Sequence, residues 1–304
     1  MIGSGTCTAK DIVIGIYNNE NVTSIGSSAF SGRTGLTSVV ISDSVTSIGD
    51  YAFEDCYGLT SVTIGNGVTS IGKYAFNNCA SLTSVTIPDS VTSIGDFAFD
   101  DCTGLTSVTI GNGVTSIGNC AFEYCHKLVE VINHSSLDIQ AGSWSNGSVG
   151  HYAKVVHKGE SKIINYNDYL FYTYNGVNYL LGYVGKDTAL VLPKSYNGEN
   201  YEIYKYAFDN RDDITSVVIP DSVTSIGSSA FSSCNGLTSI TIGNGLTSIG
   251  NCAFYGCSKL ASIKYRGTRA QWIDISKGEY WDQYYNGGYE YGIGYTITYN
   301  YTGN

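Results

Sequence analysis

Basic side chains are scarce: 16 Lys plus Arg stand against 26 Asp plus Glu, a formal net charge of −10 over 304 residues. Neutralising nucleic-acid phosphates takes clustered cations, so this balance argues against a nucleic-acid partner and equally against an anionic membrane surface. No apolar run approaches the roughly 20 residues that a spanning helix needs, which excludes membrane insertion by a helix. The opening MIGSGTCTAK is neither basic nor followed by an apolar core long enough for a signal peptide. The expectation is that a targeting signal has been removed or that the chain begins inside a larger protein. Histidine is also rare, and His126, His134, His151 and His157 show no H-x-x-x-H or C-x-x-C spacing. They read as polar loop residues, with no metal, no cofactor and no catalytic residue expected.

What the chain has instead is a repeat. Near-copies of LTSVTIPDSVTSIGDFAFDDCTG, Leu82 to Gly104, place Phe30, Phe53, Phe76, Phe99 and Phe122 at steps of 23, and Phe208, Phe231 and Phe254 at the same step further on. A fixed period of this length marks a solenoid, in which each coil buries its apolar side only against the coils above and below. In one coil the apolar places are Leu59, Val62, Ile64, Val68, Ile71, Ala75, Phe76 and Cys79. Val62 and Ile64 alternate with Ser61 and Thr63, a short strand with one apolar face. A turn follows, then VTSIG as a second extended piece closed by Gly72, then KYAFNNC as a single helical or 3₁₀ turn. Stacking at about 4.8 Å would set Phe on Phe and Ile on Ile.

Two patterns ride on this ladder. The turns alternate, SDS, GNG, PDS, GNG from Ser42 to Gly113 and then PDS, GNG from Pro220 to Gly245, so that Asp43, Asn66, Asp89 and Asn112 stack. Like charges are thereby kept two coils apart, roughly 10 Å or about one Debye length. Cys56, Cys79, Cys102 and Cys125 repeat at one phase, as do Cys234 and Cys257, which reads as a buried ladder of unpaired thiols. Cys120 and Cys252 take another phase, expected near the surface, and Cys7 lies in the leading piece.

The chain reads as one continuous solenoid. Residues 1–22 form a capping half-coil, 23–133 five coils, 134–200 an irregular Tyr-rich β insertion, 201–263 three coils and 264–304 a C-terminal cap. The 86 positions between Phe122 and Phe208 are not a multiple of 23, and Asn175-Gly176 between apolar runs is a strong hairpin signal. Asn197-Gly198 marks a second protruding arm. Thr268 can cap a short helix whose Ala270, Trp272, Ile273 and Ile275 face the last coil, and Ile293 to Tyr301 alternates as a closing strand.

The repeat LTSVTIPDSVTSIGDFAFDDC closely resembles the BspA-like leucine-rich repeats, and YRGTRAQW from Tyr265 to Trp272 resembles the ending found in that family. The resemblance covers roughly residues 10 to 275. It implies a right-handed leucine-rich repeat superhelix, β-rich, on secreted or cell-surface proteins that act as adhesins toward host matrix or microbial surface proteins. It brings no catalytic residues. The acidic stripe Asp50, Glu54, Asp55, Asp96, Asp100, Asp101 and Glu123 reads as a solubilising face, with calcium or a basic protein as the alternatives. Of the 26 tyrosines, Tyr169, Tyr172, Tyr174, Tyr179 and Tyr183 are the expected ligand surface, against the alternative that they pack the hairpins. The functional expectation is a non-enzymatic extracellular binding or adhesion module. Beside it stand a self-assembling structural surface subunit and a glycan-binding module.

Overall fold

In the computed structural model, which describes residues 9–17, 19–286 and 289–303, the eight apolar places of the coil starting at Leu59 are all buried. Ser61–Ile64 pairs in parallel with Ser38–Ile41, Ser61 on Ser38 and Ile64 on Ile41. The shorter Ser70–Ile71 strand pairs the same way with Ser47–Ile48 and Ser93–Ile94. Each coil thus contributes one rung to each of two ladders, and β-branched Val, Ile and Thr suit both. The segment after SIG makes hydrogen bonds from residue i to i−3, such as Asn77 N–H to Tyr74 O at 3.1 Å. Tyr74 and Asn78 there are left-handed, with φ of 55° and 59°, so the turns do not continue as a helix.

Consecutive Phe rings of the first run stack 5.0–5.1 Å apart and nearly parallel. Phe208, Phe231 and Phe254 stack at 4.9 and 5.3 Å. The cysteine ladder is buried and free of disulfides. Each of its thiols donates to the carbonyl of the Phe one coil earlier, as Cys102 does to Phe76 at 3.1 Å. Cys120 and Cys252 are half-buried, and Cys7 lies outside the described residues.

The chain divides into two compact units, through Ser161 and from Lys162, each with its own apolar core. The irregular stretch expected as a single insertion serves both. Its first part closes the first stack: Val155–His157 pairs in parallel with Glu130–Asn133. Its second part opens the second stack through the antiparallel strands Ile164–Tyr166, Tyr169–Tyr174 and Val177–Tyr183. The last of these then pairs in parallel with Tyr201–Ile203, where the regular coils resume. Asn175-Gly176 is the expected two-residue turn, with φ of 48° and 78°, both in the region that a type I′ turn requires. Asn197-Gly198 makes a tight turn closed by a single Tyr196–Glu199 bridge.

The leading strand Asp11–Ile14 pairs with Ser38–Ile41, and residues 1–8 and 18 of the expected half-coil lie outside the described residues. At the other end Thr268 caps the Arg269–Asp274 helix, with Gln271 completing a capping box. Trp272 and Ile275 are buried as expected, but Ala270 is exposed and Ile273 is 65% exposed. Trp272 is the buried residue of the helix, and Ile275 packs from its extended C-cap, so the short helix itself turns one apolar side chain inward. Thr296–Thr298 closes the second stack against Ser262–Tyr265.

Candidate functional site

The outward side chains of the four-residue strands form one face of the first unit. Val62, Val85 and Val108 point inward, so Thr63, Thr86 and Thr109 point out one above another. A recess of about 460 Å³ opens on this face, lined by Thr63, Thr86 and Thr109 together with Asn66, Asp89 and His134. At its end nearest the N-terminus the same face turns apolar: Val13 and Val40 sit side by side, 73% and 40% exposed.

In the second unit a polar cleft of about 600 Å³ lies between the Asn175-Gly176 turn and the 196–200 turn. Thr173, Asn178, Asn197, Glu199 and Glu202 line it. Asn178 is held from two sides: its Oδ1 accepts from Thr173 Oγ1 at 2.7 Å and its Nδ2 donates to the Asn200 carbonyl at 3.4 Å.

The five expected tyrosines fall on both faces of the hairpin. Tyr169 and Tyr183 are cross-strand partners with rings 4.8 Å apart and belong to the buried core. Their hydroxyls donate to the Val191 carbonyl and to Asp187, both on exposed residues. Tyr172 is also buried. These three tyrosines of the expected ligand surface are thus each less than a tenth exposed. Tyr174 and Tyr179 are partly exposed, and Tyr179 meets Tyr204 edge-on at 5.6 Å.

The acidic stripe is structural in part. Asp50 Oδ1 accepts the Lys73 backbone N–H at 2.8 Å, and the Lys73 ammonium lies 3.0 Å from Asp96. Asp100 bonds to Asn77 through one oxygen while its Oδ1 has no partner among the described residues. Burial, and then the charges of Asp101 and Glu123, push its carboxyl up to about 6. No set of three or more His, Cys, Asp or Glu side chains among the described residues is arranged to hold a metal ion.

One polar cluster lies outside every residue expected to be functional. Glu130 occupies the place of Ser84 and Ser107 in the ladder and is fully buried. His157 Nε2 lies 3.1 Å from its carboxylate, and Ser107 and Ser161 donate to it. The replacement of Ser by Glu in LVEVIN was the available sign. It ties the last coil to the segment that closes the first stack.

Residues 5–148 and 201–276, more than two thirds of the chain, match the BspA type leucine rich repeat region in six copies. The chain belongs to that family. Among solved structures, a leucine rich cell surface protein from Faecalibacterium prausnitzii is similar at 28% identity over 89% of this chain and 91% of its own, with a TM-score of 0.39. A leucine-rich repeat protein from Bacteroides capillosus is similar at 26% identity over 46% of this chain and 99% of its own, TM-score 0.36. The leucine rich repeat protein of T. pallidum shares 19% identity over 89% and 86%, TM-score 0.38. No curated protein matches. Membership of the BspA-type family rests on the repeat match, and the stacked Phe and Cys ladders give it a physical cause. No helix among the described residues is long and apolar enough to cross a membrane.

Proposed function

We propose that this chain is a non-enzymatic extracellular or cell-surface binding and adhesion module that takes protein ligands from host matrix or microbial surfaces. The observation that carries the reading is the outward strand face of the first unit, built from two in-register ladders and indented where they meet by the recess over Thr63, Thr86 and Thr109. Within each ladder the side chains are fixed before a ligand arrives, which lowers the ordering cost of association. Tyr174 and Tyr179 are the hairpin's contribution to a second contact area. Removing residues 160–186 is a poor test, because Phe171 and Leu180 are part of the second core. Point variants are cleaner. Binding of the intact chain to a panel of purified matrix proteins is expected to fall with T86R/T109R, or with Y174A/Y179A if the hairpin is the contact. Absence of binding across the panel, or equal binding by both variants, overturns the reading.

A specific observation also favours self-assembly, the apolar pair Val13 and Val40 on the same face. Light scattering across a concentration series separates the two, since a mass that rises with concentration and returns to monomer in V13T/V40T supports assembly. A constant monomer mass rejects it.

A further inference from the structure

The parallel sheet on the outward face of the first unit has one interruption. Strands Asp11–Ile14, Ser38–Ile41 and Ser61–Ile64 form one sheet, and Ser84–Ile87, Ser107–Ile110, Glu130–Asn133 and Val155–His157 form another. Ser61–Ile64 and Ser84–Ile87 are consecutive coils of nearly identical sequence, yet they do not pair. Everywhere else in that run the link recurs: the Thr60, Thr106 and Val129 N–H groups each donate to the Thr one coil earlier, whereas Thr83 has no such bond to Thr60. Val62 and Ile64 keep 9% and 8% exposure, against 0–2% for Val39, Ile41, Val85, Ile87, Val108 and Ile110.

The rest of the coil stays closed at this level. Ser70–Ile71 pairs with Ser93–Ile94, Phe76 N–H reaches the Ala98 carbonyl at 2.7 Å, and the Phe76 and Phe99 rings remain 5.1 Å apart. The gap is therefore a wedge, open only on the outward face.

The turn chemistry accounts for it. Where an SDS or PDS turn is followed by GNG, the Asp carboxylate accepts the Asn backbone N–H of the next coil: Asp43 to Asn66 at 2.7 Å, Asp89 to Asn112 at 2.7 Å, Asp221 to Asn244 at 3.0 Å. The second glycine permits the approach, since a Cβ at Gly67, Gly113 or Gly245 would lie 1.8–2.0 Å from the Asp carbonyl below. The reverse order, GNG followed by PDS, occurs once, at 65–67 and 88–90. There Ser90 carries the Cβ that the tight junction forbids. Ser90 Oγ bonds to the Val68 carbonyl at 2.7 Å, which bridges the separated turns.

We propose that this junction is a built-in joint: the outward face of the first stack opens and closes between Ser61–Ile64 and Ser84–Ile87, the facing edges of its two sheets. The recess over Thr63 and Thr86 lies across the joint, so its width changes as the wedge moves. Backbone groups that lack ladder bonds open at low free-energy cost, and hydrogen exchange reads this directly.

In the full chain the segment 83–88 is expected to exchange at least about tenfold faster than its copy at 106–111. P88G/S90G gives this turn the Gly-x-Gly pattern of the tight junctions and removes the Cβ, and should slow exchange at 83–88 by about the same factor while leaving 106–111 unchanged. G113S tests the converse by placing a Cβ in a tight junction, and should deprotect 106–111. Equal protection of 83–88 and 106–111 in the unaltered protein overturns the proposal. So does failure of both variants to move exchange in the stated directions. Neither outcome depends on what the face binds.

Discussion

Replacing Phe76 by Ala should damage the first unit more than the same change at Phe30, and the ladder sets the difference. Phe76 is fully buried between two rings, each 5.1 Å away, whereas Phe30 has one ring neighbour and keeps 8% exposure. A buried Phe to Ala change costs about 3–5 kcal/mol through lost transfer energy and the cavity left behind. Each lost ring pair accounts for about 0.5–1.5 kcal/mol of that, so F30A should cost roughly 1–2 kcal/mol less than F76A. The buried thiols supply the assay, because each unit carries its own. Pulse labelling with a thiol reagent, read by mass spectrometry, follows Cys79 and Cys102 for the first unit and Cys234 and Cys257 for the second. A loss of about 4 kcal/mol raises the open population by roughly three decades, and labelling at Cys79 and Cys102 should accelerate accordingly. Cys234 and Cys257, in a separate core, should label at the unaltered rate. F30A as damaging as F76A, or equal acceleration of all four thiols, refutes the reasoning.

Three further outcomes follow from single contacts. E130A leaves His157 and Ser161 without their buried carboxylate, and breaking such a buried pair costs about 3–5 kcal/mol. Exchange at 155–161 should rise first, while E130Q is milder. D100N should raise the denaturation midpoint of the first unit at pH 7.5. The folded-state carboxyl is pushed up from the ordinary 3.8 to about 6, so its contribution is present below about pH 4 and is lost as pH rises through about 6. The advantage of D100N should therefore vanish at pH 4, and an advantage independent of pH contradicts the assignment. In the native protein the ladder thiols should resist alkylation at pH 8, because burial pushes Cys56 up to about 12. Cys120, raised to about 11 first by its hydrogen bond to Glu123 and then by burial, should also be slow, and rapid labelling of either refutes this.

The coil itself was legible in the sequence because every repeat restates the same inside–outside pattern. Leu59, Val62, Ile64, Phe76 and Cys79 went where the period puts them, and Asn175-Gly176 specified its turn by backbone conformation alone. The Asp and Asn alternation was visible, and with it the spacing of like charges. What the pattern did not show is that Asp43 and Asp89 accept backbone N–H groups of the next coil, a contact that no spacing argument contains. The tyrosines were ambiguous for a different reason. Composition marks a Tyr-rich hairpin, but the pairing of Tyr169 with Tyr183 decides which rings enter the core, and the register shift between Leu170 and Phe171 is set by tertiary context. Ala270 and Ile273 failed because the helix is too short to present four apolar positions to one neighbour. Glu130 was one substitution in a decaying repeat, and its partners lie 23 to 31 residues away in sequence.

The central claim is that consecutive repeats lie one on another with equivalent side chains in contact. Ring-to-ring nuclear Overhauser effects in protein labelled only at phenylalanine test it most directly. Contacts are predicted between Phe30 and Phe53, Phe53 and Phe76, Phe76 and Phe99, and Phe99 and Phe122, and separately along Phe208, Phe231 and Phe254. Absence of effects between successive rings, or effects that skip a coil, would contradict the stacked architecture and the binding face built on it.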